Sequence, residues 1–212
     1  MPSYEQLVEQ LDPVSTVLLT VECQEGVVGK ESAMPELARE MRESGALGNV
    51  ARLVDAAHAA GVQVMHAVAE RRADGRGANR NARLFRAAER LPVRQEVGSW
   101  AVRVAEPIVV AESDLVMPRL HGLSPVAGTG VDAVLRNLGC RSVVVVGVSA
   151  NVAILNAVFD LVNLGYQVVV VADAIAGVPG EYTGMVVRHS LGLVAGVVGV
   201  EEVVRCWGEG SG

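Results

Sequence analysis

The stretch Ser142-Val143-Val144-Val145-Val146-Gly147-Val148 runs directly into Ser149-Ala150-Asn151-Val152-Ala153. A helical pattern then carries the chain to Leu164-Gly165-Tyr166 and a second apolar run, Gln167-Val168-Val169-Val170-Val171-Ala172. Both runs are short and rich in Val, so they read as strands covered on both faces. The segment between them, Asn151 to Leu164, spaces its apolar residues for a helix, and Gly165 supplies the left-handed residue that closes one. Strand, helix, glycine and strand make one right-handed unit with parallel strands.

The same grammar extends in both directions. Thr16 to Glu22 and Val62 to Val68 read as further strands, with weaker candidates at Asp114 to Met117 and Gly196 to Val198. Helical patterns cover Leu47 to Ala60, Asn81 to Ala88, Gly130 to Leu138 and Tyr182 to Leu193, and Gly61 and Gly139 repeat the closing signal. Strands alternating with helices predict an α/β fold, a three-layer α/β/α domain with a mainly parallel, doubly covered sheet. The length of 212 residues fits one domain spanning 1–212. Glu70 to Asn81, rich in Arg, Gly and Asn, predicts a long mobile loop over the sheet edge.

Composition narrows the function. Half the residues are apolar but only 3% are aromatic, so the core is built from Val, Ala, Leu and Ile. A net charge of -6 argues against a sequence-independent grip on phosphate backbones, and no nucleic acid partner is expected. The apolar runs fall far short of the roughly 20 residues of a membrane helix. Met1 to Asp12 is polar and carries Glu5, Glu9 and Asp12, unlike a secretory leader. Cys23, Cys140 and Cys206 have no paired or metal-ligand spacing, which suits a reducing cytoplasm. No metal is expected, since Cys and His show no metal-ligand spacing, and no nucleotide cofactor, since neither GxGxxG nor a Walker loop follows a strand. Of the 18 basic residues only Lys30 is a lysine, which excludes a mechanism needing one in the middle of the chain.

Ligands of parallel sheets bind beyond the carboxyl ends of the strands. Those ends hold Glu22 to Gln24, His66 to Arg72, Pro118 to His121, Ser149 to Asn151 and Asp173 to Ala176. Three of them resemble one family. Leu18-Leu19-Thr20-Val21-Glu22-Cys23-Gln24 is similar to the first strand and Asp-x-Gln of the isochorismatase-like, or cysteine hydrolase, superfamily. Gly128-Thr129-Gly130-Val131-Asp132 through Leu138-Gly139 resembles its Gly-Thr helix. Val143 to Ala153, Leu164-Gly165-Tyr166 and Ala172-Asp173-Ala174 resemble its strand, Thr-Asn-Val-Cys loop, Gly-Tyr and Asp-Ala, from about residue 16 to about residue 205 in all.

The resemblance implies a family fold and, in its amide hydrolases, an Asp, a Lys and a nucleophilic Cys. A carboxylate takes the thiol proton, a cation favours the thiolate, and backbone N–H groups at the next helix start hold the oxyanion. Here the Asp position is Glu22, the Lys position falls at Arg119 or at Leu120 beside it, and the Cys position is Ala153. Thiol catalysis at the usual place is excluded. A guanidinium also exchanges no proton near neutral pH, although it can grip a carboxylate.

Two expectations follow. Isochorismatases proper, which resemble this chain in lacking the cysteine, protonate a vinyl ether from the first-strand acid; Glu22 would take that role if burial raised its pKa, with Arg71, Arg72 and Arg119 meeting the carboxylates of a small substrate. The alternative is a catalytically silent member that binds a ligand or serves in an assembly. Glu22, Arg119 and His121 are the candidate catalytic residues. Gln24, His66, Arg71, Trp100, Ser149, Ala150, Asn151 and Ala153 are the candidate substrate-binding residues. The ordinary structural alternatives are an ion pair of Glu22 with Arg119, a small core residue for Cys23, a satisfied polar group for His66 and a helix cap for Ser149. The resemblance also implies a cis peptide between Val148 and Ser149. Met185 to Val198, apolar around much of a helical circumference, is expected to be covered by a second copy in a homodimer or homotetramer, as the resemblance implies.

Overall fold

The computed structural model describes residues 4–209. In chain order the elements are α1 (Tyr4–Gln10), β1 (Thr16–Val21), α2 (Glu25–Val28), α3 (Pro35–Glu43), α4 (Ala46–Ala60), β2 (Gln63–Ala69), α5 (Arg83–Ala88), β3 (Leu115–Arg119), α6 (Val131–Asn137), β4 (Ser142–Val148), α7 (Leu155–Asn163), β5 (Gln167–Ala176), α8 (Gly180–His189), β6 (Gly196–Val198) and α9 (Val200–Glu209). The six strands form one sheet in the order β3-β2-β1-β4-β5-β6, and every neighbouring pair is parallel. The chain winds outward from β1 in one direction and from β4 in the other. The crevice where the winding reverses lies beyond the ends of β1 and β4.

Two apolar layers cover the sheet, which is why its strands carry Val on both faces. Leu18, Val64, Val144, Val146 and Val169 pack under α3, α4 and α9. Val17, Leu19, Val143, Val145 and Val168 pack under α6, α7 and α8. The sole tryptophan of the core, Trp207, is buried with its indole N–H donating to the carbonyl of Leu11 at 3.2 Å. Gly61, Gly139 and Gly165 close α4, α6 and α7 with left-handed φ of 73°, 68° and 92°, as their place after each helix predicts. Among the described residues no helix is long and apolar enough to cross a membrane.

Four local expectations are corrected. β1 stops at Val21, because Glu22 leaves the strand with φ 52°. β5 continues past Ala172 to Ala176, because an irregularity between Val145 and Gly147 lets β4 pair Gly147 with Ile175. Asn151 to Leu164 is two pieces: a wide turn over Ala150–Ile154, in which the N–H of Ile154 reaches the carbonyl of Ser149 at 3.1 Å, and then α7. Met185 to Val198 is not one helix but the end of α8, a short turn at Leu191–Leu193 and the edge strand β6. Gly192 and Gly196 fall within that stretch, and glycine weakens a helix interior.

Candidate functional site

A regular continuation of β1 would aim Glu22 at the α4 layer, beside Leu18, and Cys23 at the opposite layer. The left-handed backbone at Glu22 reverses both. Cys23 is buried in the α4 layer, where burial, together with the neighbouring charge of Glu22, pushes its thiol up to about 12. That is the inert core thiol rather than a nucleophile. The Glu22 carboxylate is carried to the other side, where it accepts a hydrogen bond from Nη2 of Arg119.

Arg119 ends β3, two strands away from β1. Its guanidinium reaches Glu22 across β2, whose end presents the small side chains of Ala67 and Ala69 in register with Met117 and Arg119. The Arg119 side chain is 5% exposed and that of Glu22 17%. Nη2 also lies 3.5 Å from the carbonyl of Leu123, whereas Nε and Nη1 are buried with no acceptor among the described residues. Arg119, not Leu120, is therefore the partner of the first-strand carboxylate.

Gln24 is fully buried and clamps the end of β2. Its Oε1 accepts from the N–H of Ala69 at 2.7 Å, and its Nε2 donates to the carbonyls of Ala69 at 2.9 Å and Ala101 at 3.3 Å. Such a saturated amide has little left for a ligand.

The peptide joining Val148 to Ser149 is cis. The carbonyl of Ser149 accepts from Val152 and Ile154, but its side chain makes no cap. Asn151 packs its Oδ1 near Gly177. Ala150 is fully buried and Ala153 is 2% exposed, so both serve the core instead of a ligand-facing wall.

His66 is likewise the satisfied polar group and not a pocket wall. It is buried in mid-strand, with Nδ1 2.8 Å from the Thr20 hydroxyl and Nε2 3.3 Å from the Asp114 carboxylate. Burial holds its pKa below the usual imidazole value, with Asp114 pulling the other way. Asp114 also accepts from Nε2 of His58 at 2.8 Å and from the N–H of Ala111 at 2.8 Å. The sequence reading missed Asp114, because an aspartate opening a weak strand carries no sign of two histidines reaching it from α4 and β2.

A recess opens on the β2 and β3 side of this site. Arg71, Phe85, Arg119, Leu120 and His121 line it, together with Glu70 and Glu89. Asn79 belongs to the same wall and accepts from the N–H of Gly122 at 2.8 Å. Arg71 is placed there by backbone bonds to Gln95 and Val97. Its neighbour Arg72 is exposed and taken up by Asp74 at 2.8 Å. Trp100 lies elsewhere, half-exposed in a hollow with Glu25, Lys30 and Pro107. Phe85, Glu89 and Asn79 were not singled out in the sequence, because residues in a polar, Arg-rich loop carry no periodic signal.

A parallel sheet in the order 3-2-1-4-5-6 with its polar cluster at the strand ends defines a doubly wound α/β protein. Residues 16–202 match the isochorismatase domain, and the chain belongs to that family. It is 28% identical over 141 residues to the ureidoacrylate amidohydrolase RutB of Rhizobium rhizogenes, a match covering 61% of this chain and 57% of that relative. The chain thus spans little more than half the length of this curated relative. In fold it is similar to a cysteine hydrolase from Pseudomonas syringae pv. phaseolicola, with a TM-score of 0.76, 20% identity and 95% and 96% of the two chains covered. It is also similar to an isochorismatase family protein from Desulfovibrio vulgaris, with a TM-score of 0.77, 22% identity and 88% and 95% covered.

Proposed function

We propose that this chain is an isochorismatase-family protein without thiol catalysis, which holds a small carboxylate-bearing molecule at the C-terminal edge of its sheet. The observation that carries this reading is the fate of the three positions where the family's amide hydrolases resemble one another. Ala153 offers a buried methyl group, and the Glu22 carboxylate accepts from Nη2 of Arg119. A carboxylate that accepts from a guanidinium is arranged as an acceptor, whereas protonating a vinyl ether needs a carboxyl that donates.

The test is turnover of nicotinamide, ureidoacrylate and isochorismate by the purified chain. No product above the uncatalysed rate is expected, and hydrolysis of any of the three would overturn the reading.

One observation favours a second reading, a hydrolase that needs no cysteine. Glu22 holds a left-handed backbone, which costs a residue with a side chain about 1–2 kcal/mol, and such strain gathers at working sites. Under that reading Glu22→Gln folds normally and abolishes a turnover that the wild type shows.

The proposal extends to assembly. Tyr182 and Met185 on α8, with Leu193 and Val194 after it, are exposed apolar residues on adjoining elements, and a second copy of this chain would cover them. Light scattering at micromolar concentration is expected to give at least a dimer, and a monomer mass would count against it.

A further inference from the structure

We infer that the recess beside Arg119 takes a single carboxylate carried on a small apolar body, an inference that rests on the ligand-binding reading above. Arg119 has five N–H bonds. Glu22 and Leu123 engage Nη2 alone, while Nε and Nη1 are buried without an acceptor. Buried donors on a charged group are costly to leave unmet, and Arg119 lines the recess, so a turn of its guanidinium would bring them to a carboxylate held there, the strongest small acceptor that could meet them.

Arg71 adds a second cation that the protein offsets only loosely. Its closest carboxylate, Glu89, is 4.0 Å away and already accepts from Nε of Arg80 at 2.7 Å. Phe85 and Leu120 supply apolar lining to the same recess, which suits a ligand with a compact hydrocarbon portion.

The same recess limits how much negative charge it can take. Glu70 and Glu89 line it as well. A phosphate or a dicarboxylate would bring a second negative charge against two glutamates. One carboxylate meets the guanidinium groups without that repulsion.

The experiment is calorimetric titration of the full chain with benzoate, benzamide, phthalate and inorganic phosphate. Benzoate should bind at least about tenfold more tightly than the other three, and Arg71→Gln should weaken it about tenfold without moving the melting temperature. Phe85→Ala should weaken benzoate too, leaving the ranking intact. Benzamide, phthalate or phosphate binding as tightly as benzoate would overturn the inference. So would an absence of benzoate binding or an unchanged affinity in Arg71→Gln. Conversion of benzamide to benzoate in the same samples would sink the ligand-binding reading while leaving the preference for one carboxylate standing, so the two failures are told apart.

Discussion

The two ends of β3 carry buried polar groups of opposite character. At its entrance Asp114 accepts from His58, His66 and the backbone of Ala111, and His66 passes its other nitrogen to Thr20 on β1. At its exit Arg119 meets Glu22, just past β1, with one nitrogen and leaves Nε and Nη1 without an acceptor. Both constellations tie the edge strand β3 to the centre of the sheet across β2. The entrance is saturated and reads as structure, since a buried network with every partner present fixes a single arrangement. The exit is unsaturated and adjoins a recess, which is how a polar group looks when its last partner comes from outside the chain.

The largest effect expected from breaking this contrast is at the entrance. Asp114→Ala strands two imidazoles and a backbone N–H in the interior and should cost about 3–5 kcal/mol in urea unfolding. At the exit, Glu22→Gln keeps an acceptor for Arg119, loses the charge pairing and should cost about 1–2 kcal/mol. There the double variant Glu22→Gln with Arg119→Met should recover part of that loss, because removing both charges avoids burying one alone. A cycle in which the double variant is as unstable as the sum of the singles would show that the pair is not coupled.

The pH profile sharpens the comparison. His66 has a folded pKa below the usual 6.5, chiefly because burial disfavours its charged form. The unfolded chain therefore binds a proton that the folded one refuses. The contribution of His66 is complete above about pH 6.5 and is lost as the pH falls toward its lowered value. Urea midpoints measured from pH 7.5 downward should decline below pH 6.5, and His66→Gln should flatten that decline. Asp114→Asn should steepen it, since Asp114 is what pulls the His66 value back up. The smallest effect is on the rim, where Arg72→Ala breaks an exposed pair with Asp74 and should leave the melting temperature unchanged.

Much of this architecture was legible residue by residue. The Val run at 142–148 ends where the strand ends, because Arg141 and Ser149 bound it. β5 outran its reading, since Asp173 looks like a strand end until the β4 irregularity is seen to carry the pairing on to Ala176. Helices α1, α3 and α9 were not read from the sequence at all, although α3 and α9 gather their apolar residues on one face more sharply than α4; their many charges lower the mean hydropathy that marks α4. Asp173 illustrates the limit: its carboxylate accepts from the N–H of Val200 and so caps α9 from 27 residues away. In the site, Glu22 and Arg119 were each suspected, but their 97-residue separation hides that they form one pair.

The sequence by itself determined the alternating α/β order, the Val-built sheet and the missing nucleophile, because these depend only on residue identity and local spacing. Ala153 cannot attack a carbonyl in any fold, and one lysine at position 30 cannot stand at the end of β3. The tertiary structure alone decided that Glu22 turns left-handed and swaps faces with Cys23, that Arg119 reaches it over two alanines, and that His66 is sealed between Thr20 and Asp114. Those outcomes follow from strand order and register, which bring distant parts of the chain within hydrogen-bond range, and burial then decides which of the assembled groups remain open to a ligand.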